Sequence, residues 1–247
     1  MTDIFSKIVG RIVAGRSRVG QSRVPYLPPE KLREMRDTRL RELVRYAART
    51  VPYYRRLFRA QGIDPAAIRV AEDLDRLPLL EKEAVRQEPR LFVSESRRGQ
   101  TAVPFVTSGT TGSPLTVFCD RDYLLSQAGF NKRENDVIRN LLGNTESLRK
   151  LILNYEGGSS TTLRRFLQRY RFRPALSEPP RAWVDDPVEH VIDTLNDYRP
   201  DVLGSYGSYL EALFRMVAAR DMDVHMPRAV LYFTDAMTDG GKRLFED

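Results

Sequence analysis

From Leu151 onwards the chain alternates short apolar runs with longer amphipathic stretches, and this pattern limits its architecture more than any other feature. Leu151 to Asn154, Asp201 to Leu203 and Ala229 to Phe233 read as strands. Thr162 to Tyr170, Pro187 to Tyr198, Ser208 to Arg220 and the segment from Asp239 read as helices. Strands separated by helices of this length require a parallel or mixed sheet covered by helices, so the expected class is α/β. Upstream the pattern is helical: Glu30 to Thr50, a shorter helix opened by Pro52 and stopped at Gly62, and one around Lys82 to Gln87. Ala102 to Val106 and Leu115 to Phe118 then read as two strands around a polar loop, and Asp120 is placed to cap a long helix running towards Leu142. The expected organisation is a basic arm and linker over residues 1–29 and one incomplete domain over 30–247.

Composition narrows the class further. With 247 residues, 41% hydrophobic and 30% charged, the chain can bury a sizeable core. A single Cys, Cys119, excludes an intrachain disulfide, and two His residues leave no Cys/His set for structural zinc. A reducing, cytoplasmic setting is expected. The 40 Lys and Arg exceed the 33 Asp and Glu by a formal +7, and most of the basic residues are Arg. They form no long run interleaved with aromatics, so no nucleic-acid partner is expected.

No run approaches the roughly 20 apolar residues that span a bilayer. Met1 to Val24 places Ile4, Phe5, Ile8, Val9, Ile12 and Val13 among Lys7, Arg11, Arg16, Arg18 and Arg23, which predicts a basic amphipathic helix. Packing on its own domain is the favoured reading of this arm, with peripheral contact to an anionic membrane as the alternative.

The segment with most chemistry is Val106-Thr107-Ser108-Gly109-Thr110-Thr111-Gly112-Ser113-Pro114. Its glycines allow a sharp turn that gathers backbone N–H groups, and its hydroxyls add donors around the same space, as a phosphate cradle requires. It is not a Walker A loop, because Ser113 stands where the Lys would be and Pro114 leads into a strand. On composition alone, a solvated hairpin turn accounts for it equally well. The carboxylates Glu30, Glu34, Asp37 and Glu42, and the pair Asp185-Asp186, are explained by a helix face and a helix start. His190 and His225 have no nucleophile partner in sequence.

The order T-S-G-T-T-G-x-P-L after a short strand resembles the phosphate-binding signature of adenylate-forming enzymes, the acyl-CoA synthetase superfamily. Val51-Pro52-Tyr53-Tyr54-Arg55, Gly62-Ile63, Asp73-Leu74 and Leu77-Pro78-Leu79-Leu80-Glu81-Lys82-Glu83, all upstream, resemble the phenylacetate-CoA ligase and CapK-like branch. The resemblance implies ATP- and Mg²⁺-dependent activation of a small-molecule carboxylic acid, with coenzyme A as acyl acceptor. By that resemblance Thr107, Ser108, Gly109, Thr110, Thr111 and Gly112 hold phosphates. Tyr155, Gly157 and Gly158, with Ser205 and Tyr206, match family segments near the substrate more weakly. For Asn154 to Ser159, an ordinary strand-to-helix turn is slightly preferred. Met237 stands where many relatives carry an acid in a Ser-Gly-Glu or Ser-Ala-Glu turn.

The family's aromatic-Gly-x-Thr-Glu segment, ribose-binding Asp and catalytic Lys find no match before Asp247. The resemblance therefore covers the N-terminal part of such an enzyme, and these residues alone are expected to be weakly active or inactive. A second chain or a C-terminal portion would complete the enzyme. The alternative is a non-catalytic remnant or accessory module that retains the fold.

Overall fold

The computed structural model describes residues 2–97, 102–107, 114–143, 148–170 and 179–245. The chain divides into two compact units, one formed by residues 8–133 and the other by 134–247 with the first seven residues.

In the first unit, the part of α1 (Thr2–Arg18) from Ile8 onwards and helices α2 (Pro29–Thr50), α3 (Pro52–Ala60) and α4 (Lys82–Gln87) precede a hairpin. Pro29 and Pro52 occupy first helical turns, where the missing N–H is not needed. Val44, Phe58 and Ile68 form the buried centre, with Leu40, Tyr54, Ile63 and Leu77 packed around it. Tyr53 stacks on Phe92 at 4.3 Å between centroids. Within the expected arm and linker over residues 1–29, Gln21–Tyr26 form a 3-10 helix and Pro29 already opens α2. Lys132 bonds Ser22 at 2.8 Å and Arg133 bonds Gln21 at 2.6 Å, which ties the 3-10 helix to the middle of the helix over Arg121–Leu141.

Strands β1 (Ala102–Val106) and β2 (Thr116–Asp120) pair antiparallel from Ala102 opposite Asp120 to Val106 opposite Thr116. The second strand runs two residues beyond its expected end because cross-strand pairing continues to Asp120. That residue also caps α5 (Arg121–Leu141), its Oδ1 accepting from the Tyr123 N–H at 2.8 Å.

In the second unit, β3 (Lys150–Ile152), β4 (Val202–Tyr206) and β5 (Ala229–Phe233) form a parallel sheet in the order β3-β4-β5. Helices α6 (Ser159–Gln168) and α7 (Val188–Tyr198) lie between β3 and β4 in sequence. Helix α8 (Gly207–Ala219) connects β4 to β5, and α9 (Asp239–Arg243) follows. Leu151, Leu153, Val191, Leu195, Leu203 and Leu210 are the most deeply buried of the core.

The central strand continues through Gly204 and Ser205, residues that by themselves suggest a turn. Both have structural reasons to be there. A Cβ on Gly204 would lie 2.5 Å from Ile152 Cδ1, and the buried Ser205 hydroxyl donates to the Leu153 carbonyl at 3.0 Å. Burial on both faces therefore favours a small residue and a satisfied hydroxyl in place of a β-branched run. Among the described residues, β5 is an edge strand, and Tyr232 on it is exposed.

Candidate functional site

Two places in the chain hold the candidate residues, one in each unit. The first is the mouth of the β1–β2 hairpin. The Thr107 N–H donates to the Leu115 carbonyl at 2.9 Å, and the Leu115 N–H donates to Thr107 Oγ1 at 3.0 Å. This reciprocal pair closes the base of the connecting loop immediately after the last ladder pair. Thr107 therefore spends its hydroxyl as an acceptor for backbone, which makes it a clamp at the loop's base. Ser108, Gly109, Thr110, Thr111 and Gly112 lie outside the described residues.

The second place is the C-terminal edge of the parallel sheet, where open α/β sheets bind ligands. Three strand ends present aromatic rings there. Tyr155 follows β3, Tyr206 ends β4 and Phe233 ends β5, with Tyr155 to Tyr206 and Tyr206 to Phe233 centroids each 5.5 Å apart. Tyr155 is exposed, whereas Tyr206 is half-buried. Burial, followed by the neighbouring Tyr155 and Asp235, pushes the Tyr206 phenol above its ordinary value and keeps it protonated. Gly157 and Gly158 form the turn into α6, with Gly158 at its N-cap. Ser205 is fully buried with its hydroxyl on Leu153, so its side chain is turned into the sheet.

Asp235 organises this edge. Its carboxylate accepts from the Gly207 N–H at 2.7 Å and from the Ser208 N–H at 3.1 Å, at the N-terminus of α8. The Ser208 side chain, then the backbone N–H groups, hold the carboxyl below its ordinary value. Asp235 is delivered there by a three-residue turn in which its own N–H donates to the Phe233 carbonyl at 3.0 Å. Thr234 at the turn's centre has φ 75°, a conformation strained for a β-branched residue. Gly207 is the matching concession: a Cβ there would meet Met237 N at 2.7 Å and the Asp235 carbonyl oxygen at 2.8 Å.

Met237, expected where relatives carry an acid, is buried in the core. Beyond it, Thr238 caps α9 and is itself held by Glu211, whose carboxylate accepts from the Thr238 N–H at 3.1 Å and hydroxyl at 2.8 Å. Arg215 first, then Thr238, hold the Glu211 carboxyl below its ordinary value. Sequence reasoning singled out Met237 and not Asp235. The available signal was a carboxylate two residues past a strand, facing a Gly-Ser helix start.

His225 is structural, its Nε2 lying 3.0 Å from the Pro200 carbonyl and its N–H donating to Asn196 at 2.7 Å. Among the described residues no group of three His, Cys, Asp or Glu is arranged to hold a metal ion. No helix among them is long and apolar enough to cross a membrane.

No protein-family model matches the chain. A phenylacetate-coenzyme A ligase of Thermus thermophilus is 39% identical over 97 residues, which is 39% of this chain and 22% of that protein. The chain is related to the phenylacetate-CoA ligases over part of its length. The corresponding ligase of Escherichia coli is 31% identical over 88 residues, 36% of this chain and 20% of its own.

Among solved structures, 2-hydroxyisobutyryl-CoA ligase in the postadenylation state with 2-HIB-AMP superposes with a TM-score of 0.64 at 16% identity, covering 89% of this chain and 48% of that one. The same ligase with 2-HIB-AMP and CoA, in its thioesterification state, gives 0.58 at 19% identity, covering 89% and 47%. The fold is thus shared with about half of the 2-hydroxyisobutyryl-CoA ligase chain. The chain spans about half the length of these solved ligases.

Proposed function

We propose that the chain serves ATP-dependent activation of a carboxylic acid to an acyl-adenylate, followed by thioester formation with coenzyme A. The observation that carries this reading is the 39% identity to the Thermus phenylacetate-coenzyme A ligase. In the first step a carboxylate oxygen attacks the α-phosphorus of ATP, and the bond to the bridging oxygen breaks to release pyrophosphate. In the second the CoA sulfur attacks the acyl carbon, AMP departs and the thiol proton is lost to solvent.

The hairpin loop is suited to the first step. Pyrophosphate gains charge as it leaves, and N–H and hydroxyl donors fixed in advance stabilise that charge without reorganising. We assign this task to Ser108, Gly109, Thr110, Thr111 and Gly112, with Thr107 bracing the loop's base through Leu115. Mg²⁺, travelling with the ATP phosphates, would supply further charge neutralisation. At the sheet edge, the rings of Tyr155 and Tyr206, tilted 49° to one another, offer an aromatic surface for the acid's body, and the turn at Gly157 and Gly158 borders it. The carboxylate of Asp235 is held by the N–H groups that open α8, and the positive end of that helix partly offsets its charge towards a carboxylate substrate.

Calorimetric titration of the chain with Mg·ATP tests the assignment. Thr110→Ala with Thr111→Ala is expected to weaken binding about tenfold or more, the effect of removing two hydrogen bonds to a charged group. Equal affinity in the double variant refutes the phosphate role of the loop. Absence of ATP binding in the unaltered chain favours a non-catalytic module that retains the fold.

A further inference from the structure

The N-terminal helix has two faces of opposite character, and one of them is unexplained by anything above. Its inner face approaches α5 so closely that a Cβ at Gly129 would lie 2.2 Å from the Ser17 carbonyl oxygen. Gly10, on the same side of α1, is buried. Backbone-to-backbone contact through Gly129 settles how that side is held.

The opposite side is apolar and exposed. Ile4, Ile8 and Ile12 follow at four-residue spacing, which puts them in a sector about 80° wide on an α-helix. They are 62%, 46% and 54% exposed, and Val19 just past the helix is 80% exposed. Isolated exposed apolar residues are ordinary, but an aligned stripe of isoleucines is not. Helical geometry sets Arg11 and Arg18 along one margin of the stripe and Arg16 along the other. From residue 1 to residue 24 the only acid is Asp3.

We propose that α1 docks this face on an anionic lipid surface, with Ile4, Ile8 and Ile12 entering the boundary between headgroups and acyl chains and the flanking arginines meeting lipid phosphates. Charge selects this occupant over an apolar protein groove or a second copy of the chain. Two copies apposed through these faces would bring Arg16 and Arg18 against their own counterparts, with Asp3 the only acid in the helix sequence to offset them. An anionic membrane offers the opposite charge all along the stripe and an apolar interior beneath it. Helix α1 lies flat in this arrangement, because its outward stripe runs along its length and its inner face stays on α5. The inference is independent of the ligase reading.

Cosedimentation of the full chain with vesicles of phosphatidylcholine and phosphatidylserine tests it, with pure phosphatidylcholine vesicles beside them. The expected result is pelleting with the anionic vesicles only, weakened by added salt. Ile8→Glu with Ile12→Glu, both on the exposed face and so compatible with folding, should lower the partition coefficient more than about tenfold. Arg16→Ser with Arg18→Ser should weaken binding and flatten its salt dependence, which keeps the test decisive if the glutamate variant loses helicity by circular dichroism. Failure to pellet with anionic vesicles overturns the proposal, as does pelleting unchanged in both variants. It is equally overturned if light scattering shows a dimer that the glutamate substitutions dissociate.

Discussion

Replacing Gly207 by Ala should destabilise the protein even though the substitution favours the helix it begins. A helix-interior Gly-to-Ala change gains up to about 1 kcal/mol in intrinsic preference, and less at a first position. Against this stands the space the methyl group would need. It would lie 2.7 Å from Met237 N, 2.8 Å from Ala236 C and 2.8 Å from the Asp235 carbonyl oxygen. All three are backbone atoms, so no side chain can rotate away, and the 235–237 segment or the first turn of α8 must move. Overpacking of this kind costs about 1–3 kcal/mol, which leaves a net loss of about 1–2 kcal/mol after the helix gain. Displacement also stretches the 2.7 Å bond from the Gly207 N–H to Asp235.

The assay is urea unfolding monitored by circular dichroism, with Gly157→Ala as control. Nothing lies within 4 Å of a Cβ at Gly157, so that variant should stay within about 0.5 kcal/mol of the parent. In thermal melts Gly207→Ala should lose about 2–8 °C at the scale expected for a chain of this size. A midpoint for Gly207→Ala equal to or above that of the parent would refute the close-approach argument and return the position to helix propensity alone.

Thr234→Gly should stabilise the chain by up to about 1 kcal/mol, because relief of the left-handed backbone outweighs the added chain entropy of glycine; thermal melts check this, and a lower Tm refutes it. Asp235→Asn should destabilise at neutral pH and lose that deficit in acid. The folded carboxyl titrates below its ordinary 3.8, so its contribution is complete above that value and vanishes as pH falls through the lower folded value. Melting curves of parent and variant should therefore converge at low pH. The Tyr209 hydroxyl is buried with no hydrogen-bond partner among the described residues, and burial followed by Asp186 and Asp185 pushes it up to about 12. Tyr209→Phe should stabilise by about 1 kcal/mol. Because the unfolded phenol ionises near 10.0 while the folded one resists, the parent loses stability as pH rises from that value towards 12, and the variant is spared this loss.

Much of the architecture follows from local pattern. The bounds of β1, β5 and α4 are legible in the residues themselves, because apolar runs, proline breaks and capping acids act over a few positions. Asp120 as a helix cap is equally local. The phosphate assignment of residues 108–112 is a reading of one contiguous string in the sequence and remains a proposal. Other features required the tertiary structure. Gly204 and Ser205 look like a turn until two neighbouring strands show that one makes room for Ile152 and the other satisfies Leu153. Thr234 and Asp235 are unremarkable in sequence, yet the strained turn exists to carry a carboxylate to α8, twenty-eight residues back along the chain from Asp235 to Gly207. Tyr155, Tyr206 and Phe233 belong to one aromatic row only because parallel pairing aligns the ends of three strands. Periodicity and proline or capping signals are properties of neighbours along the chain, so the sequence by itself determined these elements. Close approach, buried hydrogen bonds and strand-end alignment are properties of neighbours in space, and these only the fold decided.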